Sequence, residues 1–217
     1  MGEIHALLAS LEDEYKRDPW SWFLGEVQTQ DEATQAMLGW PDKDYIYDLV
    51  WCLNHEPAVF IPKSRRMIVS WTCSAWVTYK ARFFPYHAAF VQSETETKAA
   101  FLVDKRCKFI EDNLREPLLR RPYAAIKTCE GLVGRMTYND TKSYIWAIPQ
   151  GDDVIRSFTF SILFMDESEF QPEGQRALIG ALPTLEKGAQ LIVASTSNGP
   201  RGILADVCQS VGFTKFS

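Results

Sequence analysis

From residue 58 onward, short apolar runs alternate with helical segments, and this alternation constrains the fold more than any other feature of the sequence. Apolar strands separated by helices predict an α/β fold with a largely parallel central sheet flanked by helices. Four apolar strands are predicted, and one or two additional extended segments are expected within 137–148. The predicted strands cover residues 58–62, 87–92, 158–165 and 190–194. The predicted helices cover residues 69–80, 94–113, 172–182 and 203–211.

Each of these four strands is followed by a polar or charged cluster. Parallel strands bring their carboxyl ends to one edge of a sheet, and ligands of such sheets bind at that edge. We therefore expect the clusters to lie together and to form a ligand site. They are residues 63–66, 92–94, 166–167 and 195–197.

The basic cluster lies in the connection between a predicted strand and a predicted helix. A phosphate-binding loop needs backbone N–H groups at a helix N-terminus, a cation for the phosphates and a hydroxyl for Mg²⁺. Lys63, Arg65 and Arg66 can supply the cation, and Ser70 can supply the hydroxyl. The usual Gly-Lys-Ser/Thr ending is absent, so on this segment alone a solvent-exposed basic turn is an open alternative.

An acidic pair follows the third strand. The apolar residues 162–165 precede Asp166 and Glu167, which is a Walker B pattern. The first carboxylate can hold Mg²⁺ and the second can polarise an attacking water. A charged turn in which Asp166 caps the next helix is the alternative.

A hydroxyl cluster follows the fourth strand. Ser195, Thr196 and Ser197 could sense a γ-phosphate or couple hydrolysis to movement, although a Ser/Asn/Gly turn has the same composition. The order of the three clusters along the chain is that of an additional-strand P-loop ATPase. This shared order favours the ATPase interpretation over three unrelated turns.

The loop K-S-R-R-M-I-V-S at residues 63–70 resembles the deviant Walker A motif K-S-x-R-x-x-x-S/T of large terminase subunits. These proteins are the DNA-packaging motors of tailed bacteriophages and prophages. The resemblance covers roughly residues 29–212 and implies a RecA-like P-loop fold similar to the family's N-terminal ATPase domain. It implies that Lys63 and Ser64 bind phosphates, that Ser70 coordinates Mg²⁺ and that Arg65 or Arg66 senses the γ-phosphate.

The same resemblance implies roles for the other clusters. Asp166 becomes the Walker B acid that holds Mg²⁺, and Glu167 becomes the catalytic glutamate. The residues 195–197 become the coupling motif. Arg156, which lies ten residues before Asp166, becomes an arginine finger that acts on the site of a neighbouring subunit.

The family binds adenine with residues that precede the first strand. Gln30, Tyr45 and Tyr47 are the candidates here, although the two tyrosines could instead be core residues. Residues 31–38 are predicted to form a polar helix.

Ile68 stands where most members have glycine, and a β-branched residue resists positive φ. We therefore expect a stiffer loop or weaker nucleotide binding.

The resemblance implies two regions, a helical extension over residues 1–56 with the adenine-side segment and a P-loop ATPase core over 57–217. The terminase nuclease domain is not expected within this sequence. ATP and Mg²⁺ are the expected cofactors. The expected partners are double-stranded DNA, a portal protein, a small terminase subunit and neighbouring copies in a ring, in the cytoplasm of a bacterial host without membrane contact.

The net charge is −5 and the pI is about 5.3, which argues against strong DNA binding by this chain alone. The basic and acidic residues of 105–121 are expected to form a mixed, solvated helix face, with a face that contacts DNA or another subunit as the alternative. The scattered cysteines predict free thiols. Two other functions stay open: a helicase-like ATPase, and an ATPase fold that serves as a structural module without turnover.

Overall fold

The computed structural model describes residues 2–31, 33–64, 67–185, 187–196 and 214–216. In these residues the strands form one eight-stranded sheet and one two-stranded ribbon. The ribbon consists of β1 (Gln28–Gln30) and β2 (Met37–Gly39). The strands of the large sheet are β3 (Ala58–Pro62), β4 (Ala88–Gln92), β5 (Tyr123–Lys127), β6 (Val133–Tyr138), β7 (Tyr144–Ala147), β8 (Ile162–Asp166), β9 (Gln190–Ser195) and β10 (Thr214–Lys215).

Helices connect these strands. The first three are α1 (Gly2–Arg17), α2 (Pro19–Gly25) and α3 (Asp44–His55). The helix α4 (Val69–Phe83) follows β3. The helix α5 (Glu96–Leu102) continues through a π-helix (Val103–Lys108) into α6 (Phe109–Asp112). The last two are α7 (Asp153–Ser157) and α8 (Gly174–Leu185). Among the described helices, none is both long and apolar enough to span a bilayer.

The large sheet has the strand order β10-β3-β9-β8-β4-β7-β6-β5. The strands from β10 to β7 pair in parallel, and β6 and β5 add an antiparallel edge. The strand β9 lies between β3 and β8, so the strand of the basic loop and the strand of the acidic pair are not neighbours. This inserted strand is the additional-strand, RecA-like arrangement that the sequence predicted, and the largely parallel α/β sheet is confirmed.

Alternating residues of the central strands point to two separate apolar cores. Val59 and Ile61 of β3 pack with the aromatic residues of α2 and α4, whereas Phe60 belongs to the opposite core with residues of α7 and α8. A strand with both faces covered has no polar face, because successive side chains point to opposite sides. This explains why the predicted strands are uninterrupted apolar runs.

The N-terminal elements share the first of these cores. Trp22 and Phe23 of α2 and Ile46 of α3 are fully buried in the same cluster as Trp76 of α4. The division of the chain at residue 57 therefore stays a prediction, since packing does not separate the two parts.

The prediction of a helix at residues 31–38 is wrong, because Met37 and Leu38 belong to β2 and the described residues before them form the turn of the β1–β2 ribbon. The Asp31 carboxylate accepts hydrogen bonds from the backbone N–H groups of Ala33 and Thr34 at 3.0 and 2.7 Å. A short polar side chain that satisfies its own backbone favours a turn over a helix. The elements that were not predicted include β1, β5, α7 and β10, and the predicted helix at 203–211 lies outside the described residues.

Candidate active site

Lys63 begins the loop between β3 and α4, at the carboxyl edge of the sheet. Its backbone N–H donates to the carbonyl oxygen of Ser195 at 2.9 Å, which extends the β3–β9 pairing by one residue. The polar clusters after β3, β4, β8 and β9 share this edge because the four strands are parallel neighbours. The predicted convergence is therefore present for the described residues.

The ammonium group of Lys63 lies among three oxygen atoms. Its Nζ donates to Ser70 Oγ at 2.8 Å and to Asp166 Oδ1 at 2.6 Å, and it lies 3.1 Å from Glu167 Oε1. Burial alone lowers the pKa of Lys63, but the charges and hydrogen bonds of Asp166 and Glu167 outweigh burial and raise that pKa above its usual value. Lys63 is thus a permanent cation that joins the loop to the acidic pair.

The same oxygen atoms fit a magnesium ion. Mg²⁺ in nucleotide sites binds one or two protein oxygens, with phosphate oxygens and water completing an octahedron. Ser70 Oγ and Asp166 Oδ1 already converge on a single cation, the Lys63 ammonium. A hydroxyl and a carboxylate that converge in this way are a suitable donor set for Mg²⁺.

Ile68 immediately precedes α4 and has a left-handed backbone, with φ 57° and ψ 7°. Its carbonyl oxygen accepts the backbone N–H of Thr72 at 2.9 Å and so starts the helix. The left-handed conformation costs an L-residue about 1–2 kcal/mol. The surrounding fold therefore holds a strained residue at the position where the terminase loop has glycine.

Glu167 also has a left-handed backbone, with φ 50° and ψ 44°. This conformation turns the chain sharply after β8, so that Asp166 and Glu167 both face Lys63. The hydroxyl of Thr196 donates to Glu167 Oε2 at 3.4 Å. The hydroxyl of Ser195 accepts the backbone N–H of Glu169 at 3.1 Å, so the end of β9 contacts both the carboxylate and the turn that carries it.

A cleft of about 900 Å³ opens over this cluster. Its floor includes Lys63, Ser64 and Ser70, and one wall is formed by the β1–β2 ribbon with Gln30 and Leu38. The Gln30 amide donates to the carbonyl oxygen of Gln35 at 3.0 Å, which holds Gln30 at the ribbon turn. The structure thus brings Gln30 to the same cleft as the phosphate loop.

The structure does not bring Tyr45 or Tyr47 to this cleft. Tyr47 packs edge-on against Trp20 with 5.4 Å between ring centroids and lines a separate cavity of about 120 Å³ with Trp51. Tyr45 lies on the same helix, 36% exposed, and is not among the described residues that line the cleft. The helical spacing of α3 turns its apolar side into the core and leaves both tyrosines on its outer side.

Arg156 lies on α7, outside the cleft, and its side chain is 63% exposed. It forms an ion pair with Asp152 at 2.7 Å. Gln92, fully buried at the end of β4, donates to the carbonyl oxygens of Pro149 and Gly151 at 2.8 and 3.0 Å. The turn before α7 is therefore fixed to the sheet, and Arg156 is not among the described residues that line the cleft.

Arg65, Arg66 and Ser197 were also predicted as site residues, and they lie outside the described residues. Their described neighbours in the sequence, Ser64 and Thr196, both line the cleft. The roles of the three predicted residues stay predictions.

Arg106 lines the cleft, although its charged neighbours in the sequence predict a solvated helix face. It follows Val103 by three positions and precedes Ile110 by four, and both residues are fully buried. Residues three and four apart lie on one face of a helix. This spacing was the signal that could have identified Arg106, because a charge on an apolar face is rarely accidental.

Comparison with solved structures finds the same fold in phage terminases. The large terminase of a thermophilic bacteriophage has a TM-score of 0.61 and 16% identity, covering 81% of this chain and 45% of the phage protein. The same terminase in complex with ATP-γ-S has a TM-score of 0.59 and 15% identity, covering 82% and 45%. The Thermus phage P74-26 large terminase ATPase domain has a TM-score of 0.56 and 14% identity, covering 75% and 67%.

This chain has the fold of a phage large-terminase ATPase domain. Comparisons with protein-family models and with the sequences of curated proteins find no match. The chain spans less than half the length of the thermophilic bacteriophage terminase. The resemblance inferred from the Walker A-like loop is therefore confirmed as a shared fold.

Proposed function

We propose that this chain is the ATP-hydrolysing motor of a DNA-packaging terminase. The observation that carries the proposal is the Lys63 ammonium, which joins the loop hydroxyl of Ser70 to the carboxylates of Asp166 and Glu167. These residue types, at the carboxyl edge of an additional-strand sheet, are the parts that phosphoryl transfer requires. The terminase fold and the ATP-γ-S complex of the thermophilic bacteriophage protein support the proposal.

In this proposal the loop residues exchange partners when ATP binds. Lys63 leaves the carboxylates and contacts the phosphates together with the backbone of Ser64, because the α4 N-terminus attracts anions. Ser70 Oγ and Asp166 would hold Mg²⁺, and a cation held there would supply neutralisation of negative charge on the phosphate oxygens. Gln30 contacts the base from the ribbon wall.

Glu167 is the proposed general base that orients the attacking water. Its carboxylate is 32% exposed in the side chain, so water can reach it from the cleft. Thr196 donates to one oxygen, Oε2, which leaves Oε1 to accept a proton or a water hydrogen once Lys63 has moved. A positioned carboxylate of this kind contributes about 10²–10⁴ in rate.

The end of β9 is the proposed coupling element. Thr196 contacts the Glu167 carboxylate, and Ser195 contacts the turn after it through Glu169. A change at Glu167 during hydrolysis would therefore alter the hydrogen bonds at the end of β9. Ser197, the third residue of the predicted coupling motif, follows Thr196 in the sequence.

Arginine residues complete the proposed site. Arg65 or Arg66 senses the γ-phosphate from the loop of the same chain, as the resemblance implies. Arg156 acts on the site of a neighbouring copy, which its exposure and its position outside the local cleft support. An arginine supplied in trans raises turnover by about 10³–10⁵ in well-studied phosphoryl-transfer sites.

The partners of the motor follow from the same proposal. The protein acts in the cytoplasm of a bacterial host as a ring of copies on a portal protein, with a small terminase subunit and double-stranded DNA. The acidic balance of the chain, with a net charge of −5, means that DNA binding depends on the assembled complex.

One observation favours the alternative of a structural module without turnover. Ile68 holds a left-handed backbone in the phosphate loop, and a β-branched residue resists the further rearrangement that phosphate binding requires. In this alternative Lys63 would stay paired with Asp166 as a permanent structural ion pair.

ATP hydrolysis by concentrated protein, with and without DNA, tests the proposal. Glu167→Gln keeps the size of the side chain and removes the base, so turnover should fall by about 10²-fold or more while nucleotide binding persists. Glu173→Gln is the matched control, because Glu173 is exposed and pairs only with Arg176 among its described contacts. Equal turnover by the wild type and Glu167→Gln would refute the proposal.

A further inference from the structure

The cleft contains a second cation that belongs to none of the predicted clusters. Among the described residues that line it, Lys63 and Arg106 carry positive charge, and Asp31 and Glu167 carry negative charge. Lys63 is already held by the carboxylates of Asp166 and Glu167. Arg106 is the second cation among the described residues of the lining.

Arg106 reaches the cleft across the face of Trp71. The guanidinium carbon lies 5.5 Å from the centre of the Trp71 ring, within the range of a cation–π contact. Trp71 is itself fixed by an edge-on contact with Phe109 at 5.7 Å and is 9% exposed. An arginine stacked in this way is pre-organised, because its planar fork loses less freedom when it binds a ligand.

The helix that carries Arg106 changes to π geometry at this point, from Val103 to Lys108. Short π segments inside α-helices are common at functional sites. Cys107 remains buried in the core on the same turn, with its thiol directed to the carbonyl oxygen of Ser74 at 3.7 Å. The segment thus anchors its apolar side on α4 while Arg106 extends toward the cleft.

We propose that Arg106 is a phosphate-binding residue of the nucleotide site, supplied from the π segment and not from the Walker A-like loop. Trp71 lies in the first turn of α4, whose N–H groups attract anions, and Arg106 stacks on that turn. Gln30 and Leu38 form the other wall. Guanidinium groups bind phosphate oxygens in pairs, so the ligand chemistry is a polyphosphate chain. This inference rests on the proposed nucleotide site.

Competition of ADP and of inorganic tripolyphosphate against a fluorescent ADP tests the inference. Arg106→Gln should weaken both competitors by about tenfold or more, since it removes charge-assisted hydrogen bonds to phosphate. Arg106→Lys should lose less affinity than Arg106→Gln, because lysine keeps the positive charge but lacks the two parallel N–H donors of the guanidinium. Lys105→Ala is the control, because Lys105 is the exposed neighbour that pairs with Asp104.

The outcomes distinguish failure of the proposed function from failure of the role of Arg106. If the folded wild type binds neither ADP nor tripolyphosphate, the proposed function fails. If the wild type binds both and Arg106→Gln binds them equally well, the role of Arg106 alone is refuted. A loss for ADP with no loss for tripolyphosphate would place Arg106 on the nucleoside and would also overturn the inference. If Arg106→Gln does not fold, Arg106→Lys against Lys105→Ala decides the same question.

Discussion

Lys63 Nζ lies 2.6 Å from Asp166 Oδ1, although 103 residues separate them in the chain. The contact joins the first residue after β3 to the last residue of β8, across the inserted strand β9. It crosses the position where a bound nucleotide and Mg²⁺ would lie. Lys63 thus lies among the oxygens proposed for the metal, and the proposed function requires it to move to the phosphates when ATP binds.

Replacement of Lys63 should affect stability as well as nucleotide binding. Lys63→Met leaves Asp166, whose side chain is 7% exposed, without its cation, and loss of one partner of a buried pair costs about 3 kcal/mol. Urea unfolding should show this loss, and the double variant Lys63→Met with Asp166→Asn should recover part of it. Lys127→Met, on the exposed edge strand β5, should change the free energy of unfolding little. Equal stability of Lys63→Met and the wild type would contradict the buried pair.

Two substitutions of Ile68 should reverse the usual order of stability. Within a helix or strand, alanine normally gives a free energy of unfolding about 0.5–1 kcal/mol higher than glycine does. Ile68 instead has a left-handed backbone, with φ 57°. Both variants lose the isoleucine side chain beyond Cβ, and they differ only in the Cβ methyl group of alanine. The left-handed backbone should therefore make Ile68→Gly more stable than Ile68→Ala by about 1 kcal/mol. Denaturant unfolding of the two variants measures the difference. A more stable Ile68→Ala would mean that the loop is not left-handed at this position.

Arg82 should be among the most sensitive positions for stability. Its guanidinium, 1% exposed, pairs with the fully buried Glu111 at 2.6 Å, and Glu111 also accepts the hydroxyl of Tyr138 at 3.0 Å. Arg82→Met leaves a buried carboxylate without its cation and should cost about 3–5 kcal/mol. Arg176→Met, which breaks only the exposed pair with Glu173, is the control. Comparable unfolding midpoints for the two variants would show that the network does not stabilise the fold.

Arg156 should affect turnover without affecting nucleotide binding. Arg156→Ala should bind ADP as the wild type does, because the side chain lies outside the cleft, and should lower turnover by at least about 10²-fold. A mixture of Arg156→Ala with Lys63→Met should regain part of the activity. The first variant keeps an intact nucleotide site and the second keeps the arginine. An inactive mixture at protein concentrations that activate the wild type would rule out action in trans.

The architecture was predictable from the sequence because strands that are covered on both faces are uninterrupted apolar runs. The segment 58–62 was predicted with the bounds that β3 has, since both of its faces are covered and it contains no polar residue before Lys63. The ribbon at residues 28–39 did not follow, because three-residue strands have no periodicity and the turn depends on Asp31. The antiparallel edge was only partly expected, since the side chains of 124–127 in β5 are exposed.

The sequence predicted the site residues that lie at strand ends, Lys63, Asp166 and Glu167, and Ser70 at the start of α4. The place of Arg106 in the cleft was not predicted, because it depends on how one helix packs against another. Charged neighbours in the sequence also concealed its position on the apolar face of its helix. Tyr47 was assigned to the adenine site because the family binds adenine with residues before the first strand, but in the structure Tyr47 lines a separate cavity. Contacts between elements distant in sequence decide both cases.

The affinity for ATP-γ-S, measured by calorimetry with and without Mg²⁺, tests the central claim most directly. The account predicts that the folded wild type binds ATP-γ-S saturably and more tightly with Mg²⁺. It predicts that the affinity of Lys63→Met is lower by about 10²-fold. Lys127→Met should bind as the wild type does. Absence of binding at millimolar ATP-γ-S by folded wild-type protein would contradict the account and would favour a structural module without turnover.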